Sequence, residues 1–169
     1  MSATQAQSTF VGRSDELEAL AAMLIDRARL ITILGPPGMG KTRIALQLGE
    51  RTRPRFAADF LPVDLTPCRS LQALESRVAD ALELTGAERS ARIPEALRSR
   101  GRFLLVLDNF EQVAADGAAR IADWLNSAPA LRIVVTSRER LRIQAERLFE
   151  LPPLPIDSDA VTLFMDRAA

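Results

Sequence analysis

Leu30-Ile31-Thr32-Ile33-Leu34-Gly35-Pro36-Pro37-Gly38-Met39-Gly40-Lys41-Thr42 is the stretch that decides how this chain is read. Leu30 to Leu34 is short, apolar and rich in β-branched residues, which predicts a buried strand. A glycine-rich turn follows directly, and Ile44, Ala45 and Leu48 then start a helix that ends near Pro54. The turn has the form G-x-x-x-x-G-K-[ST], and strand, glycine loop, helix is the context in which that pattern cradles phosphate. Backbone N–H groups from Gly38 to Arg43 can point at the phosphates, aided by the positive end of the helix. The glycines permit backbone angles that other residues resist, while Pro36 and Pro37 donate no N–H but stiffen the loop entry. Lys41 is expected to bridge β- and γ-phosphates, and the Thr42 hydroxyl to bind Mg2+.

Lys41 is the only lysine; the other 21 of the 22 basic residues are arginine. Arginine is a flat fork with five donors, whereas lysine is a compact point charge on a flexible stem. The narrow space beside two phosphates suits the point charge. The chain uses its one ammonium where a nucleotide would need it.

Composition excludes several chemistries. With no histidine, serine–histidine and cysteine–histidine catalysis, HExxH zinc sites and histidine pH switching are out of reach of these residues. The single cysteine, Cys68, forms neither an internal disulfide nor a cysteine-cluster metal site, and reads as a small buried hydrophobe. That usage fits a reducing cytoplasm. Formal net charge is zero, so no global field draws the chain to nucleic acid or an anionic membrane. The polar start MSATQAQST has no basic n-region or apolar h-region and is not a secretory signal. No run of about 18 apolar residues exists to span a membrane. At 169 residues and 47% apolar, one domain with a sizeable core is expected.

Working outward, residues 1–9 read as a disordered tail and 10–156 as one domain. Ser14 reads as an N-cap with Asp15 and Glu16 in the first turn. Leu17, Leu20, Ala21, Leu24, Ile25 and Ala28 fall on one helical face. Strands are expected at Phe60–Leu65, Phe103–Leu107, Leu131–Val135 and 147–151. Helices are expected at Ser70–Leu84, Ile93–Ser99 and 116–126, the last turning Ile121, Trp124 and Leu125 inward. Pro152, Pro153 and Pro155 mark a linker, after which 157–169 start an amphipathic helix of a following region, as in a fragment of a longer protein. The alternation of strand and helix predicts an α/β fold of three layers, a parallel sheet with helices on both faces.

Three further elements bear on the chemistry. Leu104-Leu105-Val106-Leu107-Asp108 is the Walker B form, a buried strand that carries a carboxylate to its C-terminal tip, where ligands bind in open α/β sheets. Asp108 is expected to orient Mg2+ through water. The next residue, where many ATPases of this kind place an acid, is Asn109; an amide orients water but cannot take its proton. Glu111 is the alternative acid, with first-turn helix charge as its other reading. Thr136-Ser137-Arg138 ends the fourth strand, and Arg138 is placed to sense a γ-phosphate as a cis arginine. Its other reading is a surface arginine in a cluster with Arg140 and Arg142. That cluster and Arg51-Arg53-Arg55 lack the interleaved aromatics of a nucleic-acid surface and read as solvated helix charge.

These elements in this order, preceded by Phe10-Val11-Gly12-Arg13, resemble the nucleotide-binding (NB-ARC-like) domain of the STAND class of signalling P-loop NTPases. LVLDNFEQV, VVTSRERLR and LFELPPLP…AVTLF are similar to bacterial members found in multidomain transcriptional regulators. The resemblance implies an ATP/ADP switch on a five-stranded sheet, with the Walker B and sensor strands next to the P-loop strand. It implies an adenine contact through the backbone around Val11, Gly12 and Arg13. It also implies a helical domain and a winged helix elsewhere in the protein, nucleotide-driven homo-oligomerisation, and nucleic-acid contact only through those other domains. The function expected is a cytoplasmic regulatory switch with slow Mg2+-dependent ATP hydrolysis. The rivals are a mechanical AAA+-type ATPase acting on DNA or protein, a P-loop small-molecule kinase, and a nucleotide-binding interaction module with no useful hydrolysis.

Overall fold

The computed structural model describes residues 12–26, 28–56 and 60–153. Its elements run α1 (Ser14–Ile25), β1 (Leu30–Leu34), α2 (Lys41–Thr52), β2 (Leu61–Asp64), α3 (Leu71–Ala81), α4 (Ile93–Ser99), β3 (Leu104–Asp108), α5 (Ala114–Ser127), β4 (Arg132–Ser137) and β5 (Glu146–Glu150). The five strands form one sheet in the order β2-β3-β4-β1-β5, with every pairing parallel. The expected five-stranded parallel sheet flanked by helices is therefore present. One detail differs: β4 alone separates β1 from β3, so the strand carrying Asp108 is not adjacent to the strand that feeds the glycine loop. All strands run the same way, so their C-terminal tips still converge at one edge.

Alternation along the strands splits the core in two. Ile31, Ile33, Leu104, Val106 and Val134 pack with Leu17, Leu20 and Leu24 of α1 and Ile44, Ala45 and Leu48 of α2. Leu30, Leu105, Leu107, Ile133 and Val135 pack on the other side with α3, α4 and α5. Strands buried on both faces need near-continuous apolar sequence, which LITIL and LLVL supply. Trp124 is 1% exposed and is the largest side chain of the second core. Trp124→Ala is expected to cost about 3–5 kcal/mol of stability. Denaturant unfolding followed by circular dichroism checks this, since the variant lacks the chain's one tryptophan.

Three local readings are corrected. Ser14 is the first residue of α1 rather than its cap; Arg13 holds the cap position, and no side chain caps that end. Ile25 is 44% exposed. Eight residues after Leu17 it is rotated about 80° further round the helix, at the rim of the buried stripe. Helix α5 begins two residues earlier than expected, at Ala114, and ends at Ser127. Ser70, by contrast, does cap α3, its hydroxyl accepting from Ala73 N at 3.2 Å. Cys68 is fully buried, and burial pushes its thiol pKa up. Among the described residues no helix is long and apolar enough to cross a membrane. Val11 and the residues 157–169 expected to start a further helix lie outside the described residues.

Candidate functional site

The site is built where β1, β3, β4 and β2 end. At the end of β1 the chain turns through Gly35 to Gly40 into α2, whose first residue is Lys41. Gly38 and Gly40 have φ of 79° and 84°, and Gly40 is the left-handed residue that opens the helix. An added Cβ would meet nothing within 4 Å at either position. Backbone angle, not space, therefore requires glycine there. The N–H groups of the first helical turn have no partner inside the helix. Thr42 is exposed at this turn, with Arg43 beside it, half-buried.

Lys41 is only 9% exposed. Its Nζ donates to the carbonyls of Gly35 at 2.7 Å and Pro36 at 2.9 Å, so the stem lies back along the loop. An ammonium has three donors; two hold the loop's shape and the third is left for an anion in its mouth.

Asp108, 8% exposed, collects four hydrogen-bond contacts from three residues. Thr42 Oγ1 lies 2.9 Å from its Oδ1 and 2.8 Å from its Oδ2. Thr136 Oγ1, at the end of β4, donates to Oδ1. Asn109 Nδ2 donates to Oδ2 at 3.1 Å. Thr42 uses its one proton on Asp108, which leaves its oxygen lone pairs open. A threonine hydroxyl beside a buried carboxylate is a hard-oxygen donor set of the kind Mg2+ takes. The expected pair, Thr42 and Asp108, is thus brought together from α2 and β3.

Asn109 is left-handed, with φ 60° and ψ 46°. Its N–H donates to Thr136 Oγ1 at 3.0 Å. The turn it makes leads into a single 3-10 turn, Phe110–Gln112, which swings Glu111 under the tip of β4. There Glu111 Oε1 pairs with Arg138 Nε at 3.2 Å. The glutamate side chain is 11% exposed and its Oε2 is buried without a hydrogen-bond partner among the described residues. The expected acid and the expected sensing arginine therefore meet each other. The surface-cluster reading is split: Arg140 lies 3.8 Å from Glu150.

Arg13 does more than its backbone suggested. At 5% exposure its guanidinium donates to Met39 O at 3.0 Å and Pro152 O at 2.8 Å, and lies 3.4 Å from Glu16. It braces the glycine loop against the segment after β5. Gly12 precedes it with φ 67°.

Sequence reading missed Asp64 and Thr66. Asp64 ends β2 in register with Asp108. Its Oδ1 accepts from Thr66 Oγ1 at 2.6 Å, Thr66 N at 2.9 Å and Asn109 Nδ2 at 3.3 Å. The Thr66 hydroxyl above all, then the Thr66 N–H, holds the Asp64 carboxyl below the usual carboxylate range. The signal was available: Leu61-Pro62-Val63-Asp64, like Leu105-Val106-Leu107-Asp108, is an apolar strand ending in aspartate.

A parallel sheet with a G-x-x-x-x-G-K-T loop between β1 and α2, and a threonine–aspartate pair at the strand tips, defines a P-loop nucleoside triphosphatase domain. The chain belongs to the AAA ATPase domain family, whose sequence profile matches residues 9–136. It is 36% identical over 163 residues to an uncharacterized protein of Mycobacterium tuberculosis, covering 95% of this chain and 41% of that protein. It is 34% identical over 148 residues to a Mycobacterium tuberculosis protein named as an HTH-type transcriptional regulator, covering 86% of this chain and 17% of that one. The chain thus spans about two fifths, or less, of the length of these relatives. Among solved structures it is similar to Cdc6p of Pyrobaculum aerophilum, with a TM-score of 0.74 at 23% identity over 99% of this chain and 52% of that one. That likeness is one of fold. A matching region also occurs in an Arabidopsis thaliana protein named for disease resistance, 31% identical over 139 residues and covering 74% of this chain and 11% of that one.

Proposed function

We propose that this domain is an ATP/ADP-binding regulatory switch with slow Mg2+-dependent ATP hydrolysis, working within a larger signalling or transcription regulator. The observation that carries the reading is the setting of Asp108: a Thr42–Asp108 pair beside the Lys41 loop, followed by an amide at Asn109. Gly35 to Arg43 would hold the phosphates, with Lys41 between β and γ. Thr42 and Asp108 would hold Mg2+, which when bound neutralises charge on the β- and γ-oxygens. Asn109 orients a water without taking its proton, and Glu111, the acid expected to take its place, is engaged by Arg138. Both features favour slow turnover. The Glu111–Arg138 pair is also a bistable element: an anion that draws Arg138 to itself frees Glu111. Differential contacts of this kind let ATP and ADP favour different arrangements of neighbouring domains. The adenine is expected against the backbone of Val11 to Arg13.

Family membership also covers the mechanical AAA-type reading. A fast motor would be expected to carry a free acid beside Asp108, and Asn109 argues against one. ATP turnover at saturating Mg2+ tests the choice. The expected rate is well below roughly ten per second, the median for enzymes, and is lost in Lys41→Ala. A Lys41-dependent rate above that median would favour the motor. A Lys41-dependent transfer of phosphate to an added small molecule instead of water would favour a kinase.

A further inference from the structure

The contacts of Asn109 are oversubscribed. A primary amide has two N–H donors. Asn109 Nδ2 nevertheless lies 2.9 Å from Thr66 Oγ1, 3.1 Å from Asp108 Oδ2 and 3.3 Å from Asp64 Oδ1. Two of these acceptors are carboxylates on neighbouring strands. With the amide turned over, its oxygen would face both of them and be repelled. The two acids therefore fix which way the amide points, and its Oδ1 faces away from them. An oxygen held so accepts an O–H from water but removes no proton.

The same network explains why this position is an amide. Its left-handed backbone, φ 60°, suits asparagine and aspartate alike among non-glycine residues. Aspartate would add a third carboxylate to Asp64 and Asp108, and like charges that close disfavour ionisation. The two strand tips are also clamped. Leu65 N donates to Asp108 O at 2.9 Å, and Arg77 donates to Asp64 O through Nη2 at 3.2 Å and Nε at 3.3 Å. All three bonds to the Asp64 carboxylate end on Oδ1, so Asp64 is held as an anchor.

We propose that Asp64 is the second carboxylate of this site, a positioning residue that acts through Asn109. An acid on β2 and an amide on β3 divide a task that a single acid beside the β3 aspartate would otherwise perform. This rests on the hydrolysis reading above. In that reaction the water oxygen bonds to the γ-phosphorus and the bond from that phosphorus to the β–γ bridging oxygen breaks. The water protons pass to phosphate and solvent. Asp64 fixes the amide that orients the attacking water and exchanges no bond.

An exchange of the two side chains tests this. Asp64→Asn releases the amide, and kcat for ATP is expected to fall about tenfold to a hundredfold, the scale of a misplaced reacting group. Nucleotide affinity should stay within about threefold, because Asp64 touches neither the loop nor Thr42. Asn109→Asp alone is expected to lower kcat as well, by crowding three acids. The double variant, Asp64→Asn with Asn109→Asp, restores one acid and one amide and is expected to return kcat to the wild-type value or above it. Such a sign reversal in a double-mutant cycle is not produced by two independent structural defects. Asp64→Asn leaving kcat within about twofold of wild type, or a double variant as slow as the product of the singles, overturns the proposal. So does a wild-type chain that binds ATP through Lys41 but does not turn it over. ATP affinity left within about twofold of wild type by Lys41→Ala overturns the nucleotide-site reading itself, and the two failures are thereby distinguished.

Discussion

Lys41→Ala will weaken ATP binding by about tenfold to a hundredfold, and Lys41→Arg will not restore it. The magnitude follows from losing a charge-assisted hydrogen bond to phosphate, worth about 1.5–3 kcal/mol. The second half separates shape from charge. Lys41 Nζ is packed between the carbonyls of Gly35 and Pro36, and the lysine Cδ lies 3.7 Å from where a Cβ on Gly35 would stand. A guanidinium is broader than an ammonium and cannot place a single donor on each carbonyl while turning a third toward a phosphate. In a chain with 21 arginines and one lysine, charge alone was available at every other basic position. Titration with a fluorescent ATP analogue checks this. Binding by Lys41→Arg within about twofold of wild type would show that charge alone suffices.

Asp108→Asn will uncouple Mg2+ from the nucleotide while leaving the fold intact. Asparagine keeps one acceptor oxygen and presents an NH2 group that the rotatable hydroxyls of Thr42 and Thr136 can accept. The melting temperature should therefore stay within a few degrees. The lost negative charge should lower Mg2+ affinity about tenfold to a hundredfold, the range seen when partners that orient a metal's ligands are removed. The measurement is ATP affinity with and without Mg2+: wild type should tighten with the metal and Asp108→Asn should not. Asp108→Ala is the harsher comparison, because it leaves Thr42 Oγ1, Thr136 Oγ1 and Asn109 Nδ2 without the acceptor they share. It is expected to destabilise the chain as well as slow it.

The Glu111–Arg138 pair and the Asp64–Asn109 pair sit on opposite sides of Asp108, one tied to the tip of β4 and one to the tip of β2. On the proposed reading, the first would tie up an acid that hydrolysis otherwise uses, and the second would fix the amide that stands in for such an acid. Both fit the proposed output of the site, which nucleotide is held more than how fast one is cleaved.

Local chemistry alone made much of this legible. LITIL and LLVL read as doubly buried strands because their apolar runs are unbroken, and both are buried throughout. The glycine loop read correctly because its constraint, positive φ at Gly38 and Gly40 opening a helix at Lys41, is local to eight residues. Ile25 misread because periodicity gives a face but not the width of the stripe that a neighbouring helix covers. Thr42 and Asp108 were expected to share an ion from their motifs; only the folded sheet shows how Thr136 and Asn109 hold Asp108. Which strands are neighbours is a matter of crossovers, not of any segment. That is why the order had to be taken from the family resemblance, which implied Asp108 beside the loop strand, while β4 in fact lies between them. The partners of Asn109, Glu111 and Arg13 lie 45, 27 and up to 139 residues away, respectively. The sequence by itself determined the elements and the phosphate loop, because those depend on neighbours in the chain. The tertiary structure decided how the acids are shared, because that depends on which strand tips the sheet sets side by side.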